Sequence, residues 1–317
     1  MQQGPEVVTC GAATLLMLAE PGVPLDRAAH FRRSLGGEGA AVAAGLARLG
    51  HRTRWIGRVG ADPAGDIVLR ELRADGVDTG YATRDPHAAT AVALREGDPP
   101  HRADPPRHHA GSAAARLAPR HIPPDALAGA RLLHLSGATA MLSADAADAT
   151  WRLLTLAHEA GLTVSFDPGA RHGPDDAEAR TRTVAPLLAE ADLVIADAAE
   201  LALLTGVSAD DAADDLLSGR TRAVIVRRPG TSATAVLRSG RLTHPAFPVP
   251  AGAGPAFVAG YLSGWLRDVA VDQALAEAAA VSALAARTAG ETDGLPTAAG
   301  RDRALDALRR GEDPAHR

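Results

Sequence analysis

Short apolar runs alternate with amphipathic stretches along most of this 317-residue chain. Val7-Val8-Thr9-Cys10-Gly11 reads as a buried first strand closed by glycine. Residues 12–35 show little periodicity. Gly36-Gly37-Glu38-Gly39 then opens an amphipathic helix over residues 40–49, stopped by Gly50. Residues 54–60 read as one strand, 67–74 as a helix closed by Asp75-Gly76, and 90–94 as an exposed strand. The Pro-, His- and Arg-rich stretch 98–109 reads as a loop.

Further on, strand and helix take turns. Strands are predicted at 131–135, 162–166, 193–196 and 223–226, with a hairpin over 233–245. Helices are predicted at 144–160, 180–189, 198–204, 255–266, 272–288 and 301–309. Such alternation implies a parallel sheet covered by helices on both faces. Ligands in such sheets lie beyond the carboxyl ends of the strands. Gly36-Gly37, Asp167, Asp197 and the run from Gly252 to Pro255 all fall at such ends.

Composition narrows the class. Apolar residues make up 46% of the chain but aromatics only 3%, so the core must be filled by Ala, Leu and Val. A net charge of −5 argues against a nucleic-acid surface. The lone Cys10 excludes a disulfide framework and fits a reducing compartment. No signal-peptide core and no run of about 20 apolar residues is present, so a soluble cytoplasmic protein is expected. The chain contains no Lys and no Asn, and every cation among the 33 basic residues is Arg. A motif Asn or Lys replaced here can therefore reflect codon drift. A replaced Asp cannot, because Asp and Glu together number 38.

The densest chemistry lies in Gly252-Ala253-Gly254-Pro255-Ala256-Phe257. Its glycines allow close backbone approach, and the free amides of a helix start attract an anion such as phosphate. With Gly36-Gly37-Glu38-Gly39-Ala40-Ala41-Val42-Ala43, Gly57-x-Val59-Gly60-x-Asp62-x-x-Gly65, Gly111-Ser112-Ala113-Ala114, Phe166-Asp167-Pro168 and Leu295-Pro296-Thr297, it resembles the signatures of the PfkB, ribokinase-like, carbohydrate kinases. The look is nearest to the 2-keto-3-deoxygluconate kinase and fructokinase branch, and it runs through almost the whole chain in order.

The resemblance implies a single domain over residues 1–317. Its fold class would be α/β: a ribokinase-like three-layer α/β/α Rossmann-like body with a small β-sheet lid, drawn from segments near 12–35 and 80–112. It also implies ATP and Mg²⁺ as cofactors, a small sugar, sugar acid or polyol as ligand, and a homodimer through the lid. Gly252, Ala253 and Gly254 would form the anion hole. Gly36 and Gly37 would meet sugar hydroxyls, with Arg171 on the substrate side. Ala41 stands where the family has a sugar-binding Asn, and His109 where this branch has an Arg for the substrate carboxylate. Asp167, Asp197, Glu200 and Arg227 would face the nucleotide, Glu200 reaching Mg²⁺ through water. Asp197 is equally suited to cap the helix that follows, and Arg171 to be a surface arginine. His108-His109 has no further ligand at metal spacing and reads as loop.

Two departures carry the functional reading. Pro255 replaces the family's catalytic Asp, and the segment before Gly252 is about four residues short. Pro229 and Ser232 also stand on the glycines of the nucleotide-side loop. Proline suits the first turn of a helix but holds no proton-accepting group. The expectation is therefore a kinase homologue with impaired or absent phosphoryl transfer, a pseudokinase acting as a ligand-binding or regulatory protein. The alternative is an active sugar or sugar-acid kinase using Asp167, Asp197 or Glu200 as a substitute base.

Overall fold

The computed structural model describes residues 4–98, 111–169, 177–245 and 254–310. The chain begins with β1 (Val7–Cys10), β2 (Thr14–Ala19), β3 (Phe31–Gly36), α1 (Glu38–Arg48), β4 (Thr53–Ile56), β5 (Arg58–Gly60) and α2 (Pro63–Ala74). It continues through β6 (Thr83–Asp85), β7 (Ala91–Arg95), β8 (Leu132–Ser136), α3 (Gly137–Ala140), α4 (Ala144–Glu159), β9 (Thr163–Asp167) and α5 (Ala177–Ala189). Then come β10 (Leu193–Asp197), α6 (Ala198–Thr205), α7 (Ala209–Ser218), β11 (Ala223–Arg228), β12 (Ser232–Leu237) and β13 (Gly240–Pro245). Three helices close it: α8 (Gly254–Leu266), α9 (Val271–Ala285) and α10 (Ala298–Arg309).

These form an eight-stranded sheet in the order β13-β12-β11-β10-β9-β8-β1-β4. Its strands run parallel from β4 to β11, while β12 and β13 return antiparallel as the hairpin. Period-two alternation sends neighbouring residues to opposite cores. Leu193 and Ile195 of β10 pack with Leu46 of α1, Leu262 of α8 and Leu275 of α9. Val194 and Ala196 pack on the other face with Leu153 of α4, Leu187 of α5, Leu201 of α6 and Leu217 of α7. This is the ribokinase-like three-layer α/β/α arrangement.

The local sequence pattern missed several elements, β6 and α3 among them. Residues 12–35, which show little periodicity, fold as β2 and β3, which join β7 in a separate three-stranded sheet, β3-β2-β7. Residues 54–60 are two strands, not one: β4 stays in the large sheet, and β5 leaves it to pair with β6. A side chain at Gly57 would run into the ring of Trp55, so the chain can turn there only with glycine. The helix α7 was not anticipated. The 98–109 loop falls almost wholly outside the described residues.

Small residues bring α1, α8 and α9 together. A Cβ on Gly45 would lie 2.7 Å from Ala259 Cβ, and one on Gly260 2.7 Å from Ala278 Cα. The low aromatic content thus becomes close helix packing, which fixes the first turn of α8 beside the sheet. Gly260→Val must push backbone apart. It is expected to cost about 1–3 kcal/mol, read as a lower urea midpoint at unchanged slope.

Candidate active site

Parallel register delivers the acidic side chains to one edge. Ser136 and Asp167 are partners at the ends of β8 and β9, as are Asp197 and Arg227 on β10 and β11. The guanidinium of Arg227 lies among the carboxylates. Its Nε is 2.9 Å from Asp197 Oδ1, and an Nη is 3.5 Å from Asp167 Oδ2 and 4.0 Å from Glu200 Oε2. The Phe257 ring centroid is 5.8 Å from Cζ, within cation–π range. A Cβ on Gly254, the first residue of α8, would lie 2.8 Å from Arg227 Nη1. The bare glycine therefore lets the guanidinium reach the helix start.

Charge and burial act against each other here. Burial pushes the Asp167 carboxyl up to about 7; Arg227 opposes this, while Glu38 and Asp197 add to it. Burial, with Asp167 and Asp197, likewise raises Glu200 to about 7 against Arg227. Burial disfavours the Arg227 charge, but Asp167, Asp197, Glu200 and Glu38 outweigh it and hold its proton more firmly.

Asp197 starts α6, and Glu200 reaches back to accept from the Asp197 amide at 3.1 Å. This is one half of a capping box. The spacing therefore shapes the helix start as well as presenting two carboxylates. Mg²⁺ is held by one or two carboxylates together with substrate phosphates and water. Asp197 and Glu200 suit that role, although among the described residues no three His, Cys, Asp or Glu side chains cluster to hold an ion alone.

The turn before α1 is built from Gly36 and Gly37. Gly37 has φ +105°, and a side chain there would strike Ala12 O. Its amide donates to Glu291 Oε2 at 2.8 Å, and Arg95 Nη2 donates to Glu291 Oε1 at 2.9 Å. Thus β7 and the loop after α9 brace the glycine pair. Ala41 is fully buried in α1 and brings no polar group to the cleft. Asp62 caps α2 through the Gly65 amide at 2.7 Å and also accepts from the Thr90 amide at 2.8 Å, which makes it structural.

Two neighbours of the cluster were not anticipated. Glu38 accepts a hydrogen bond from Ser136 Oγ. A Cβ on Gly169 would lie 2.6 Å from Glu38 Oε2, so this carboxylate sits against the turn after β9. The signal was present: an acid directly behind a glycine pair, on a strand-to-helix turn. Pro255 lies second in α8 and supplies no acid or amide hydrogen. His109, Arg171, Gly252, Ala253 and the shortened segment before Gly252 lie outside the described residues.

The folded protein keeps the Asp167 and Glu200 protons to higher pH than the unfolded chain, whose carboxyls titrate near about 4. Stability from these groups is therefore greatest at low pH and falls as pH rises toward about 7. Asp167→Asn removes its share of that slope. The melting temperature of the variant minus that of the native protein should rise between about pH 5 and about pH 8. A difference that does not move with pH contradicts the assignment.

The chain is similar to known proteins over most of its length. The family model for pfkB family carbohydrate kinase matches residues 6–298. The 2-dehydro-3-deoxygluconokinase of Bacillus subtilis (strain 168) is 32% identical over 308 residues, covering 92% of this chain and 93% of that one. The crystal structure of a PfkB protein from Polaromonas sp. JS666 superposes with TM-score 0.83 at 30% identity, over 95% of this chain and 100% of that chain. A fructokinase with bound ATP from Xylella fastidiosa gives TM-score 0.81 at 25% identity, over 96% and 99% of the two chains. With the family model matched over residues 6–298 and a relative 32% identical over nearly the whole chain, this chain belongs to the pfkB family of carbohydrate kinases.

Proposed function

We propose that this chain binds ATP with Mg²⁺ and a small sugar or sugar acid, and transfers the γ-phosphoryl group to a hydroxyl far more slowly than its relatives. One observation carries the reading: position 255, in the first turn of α8, holds a proline in a site whose acidic side is otherwise retained. Phosphoryl transfer rests mainly on positioning and charge stabilisation, so binding is expected to survive. Loss of a placed general base lowers the rate by about 10²–10⁴.

Each part of the site keeps a task. Asp197 and Glu200 would hold Mg²⁺ through water, and the ion would supply positive charge to offset that of the phosphates. Gly36 and Gly37 bring backbone against the sugar, and Gly252–Gly254 cradle the anion. His109, in place of an arginine, grips an acidic substrate without a bidentate fork. The three-stranded sheet serves as the lid. Val92 and Leu94, 41% and 48% exposed on it, fit a contact between two copies. The buried Cys10 fits the cytoplasm.

A second reading has its own support. Asp167 is raised to about 7, the range of a working proton acceptor, and Glu38 stands beside it. In that case transfer runs at an ordinary rate through a substitute carboxylate.

ADP release with 2-dehydro-3-deoxygluconate, 5-dehydro-2-deoxygluconate and fructose separates the readings. The native protein should fall about 10²–10⁴ below the roughly 1–100 s⁻¹ usual for kinases. Pro255→Asp should raise turnover at least about tenfold, with ATP binding by thermal shift unchanged. Native turnover in the ordinary range, abolished by Asp167→Asn, would establish the second reading. Ligand binding with no turnover in either protein would leave a binding or regulatory protein.

A further inference from the structure

Arg227 stands where the carboxylates would have to face a divalent ion. Its side chain is 12% exposed, and it spans Asp167, Asp197 and Glu200 at 2.9–4.0 Å. Although Nε lies 2.9 Å from Asp197 Oδ1, the alignment is not that of a hydrogen bond, and among the described residues this buried nitrogen has no hydrogen-bond partner. The guanidinium is therefore held by charge more than by directed bonds, with donor capacity to spare. Three acidic groups face Arg227, and Glu38 adds a fourth to its electrostatic surroundings. A second cation brought among the same oxygens would meet the guanidinium's repulsion.

Gly254 supplies the way out. Nη1 already borders the first residue of α8, where a helix start attracts phosphate and only a missing Cβ leaves the space. A short movement would carry the guanidinium from carboxylate oxygens to phosphate oxygens, for which its planar fork is equally suited.

We propose that Arg227 is a resident counter-ion that blocks the divalent-cation position in the unliganded protein and yields it when a nucleotide phosphate arrives. The arginine passes from the carboxylates to the phosphate, and the cation takes its place at Asp197 and Glu200. Metal and nucleotide binding are then coupled through one side chain. The proposal rests on the kinase reading for the nucleotide half only; the blocking half stands on the ion pairs.

Mn²⁺ binding to the full-length protein, followed by electron paramagnetic resonance with and without a non-hydrolysable ATP analogue, tests both halves. The native protein should bind Mn²⁺ alone weakly and gain about tenfold or more in affinity with the analogue. Arg227→Gln should bind Mn²⁺ alone about tenfold more tightly than the native protein and show little further gain. Equal affinity of the two proteins for Mn²⁺ alone would overturn the proposal. If Arg227→Gln does not fold, Arg227→Lys replaces it: a compact ammonium cannot span three carboxylates, so Mn²⁺ affinity should rise, and no rise is again fatal. A clear difference with Mn²⁺ alone but no binding of the analogue would sink the kinase reading and leave the blocking role standing.

Discussion

A single guanidinium among carboxylates, at the carboxyl edge of a parallel sheet, is the constraint on which this structure turns. Charges removed from water are tolerated only when paired and held in good geometry. The sheet supplies that geometry through register: β10 and β11 set Asp197 beside Arg227, and β8 and β9 set Ser136 beside Asp167. Ser136 in turn holds Glu38 behind the Gly36-Gly37 turn. The Gly36-Gly37 turn and the ends of β8 to β11 thus share one electrostatic cluster.

Close packing of small residues puts α8 against that unit. Gly45, Ala259, Gly260 and Ala278 let three helices approach so that Gly254 meets Arg227. Pro255 is compatible with this scaffold because a helix start has amides without intrahelical partners, and a fixed φ suits the first turn. Local structure therefore gives no reason to reject proline. Its consequence falls on chemistry: the position offers neither a carboxylate nor an amide hydrogen, while the fold around it is unchanged in kind.

Much of this was legible in the sequence. Strand ends were visible because short apolar runs stop at Asp167 and Asp197, and the glycine motifs marked the turns. The β2 strand showed no local period because Thr14–Ala19 is buried almost throughout, so no polar face alternates with an apolar one. The α7 helix was hidden by its Ala- and Asp-rich sequence, though Ser208 accepting from the Asp211 amide is an ordinary helix-start signal. The brace from Arg95 through Glu291 to Gly37 joins residues 196 and 254 positions apart, and no local pattern carries such a pairing. Arg227 was placed on the nucleotide side from its motif, but its grip on three acids emerges only when strands are laid side by side.

The structure depends most on the energetic linkage of Arg227 to its carboxylates. A double-mutant cycle of Arg227→Met and Asp197→Asn, followed by urea unfolding at about pH 8, measures it directly. The double variant should be less destabilised than the sum of the singles, with a coupling of about 1–3 kcal/mol. Effects that add to within about 0.5 kcal/mol would contradict it.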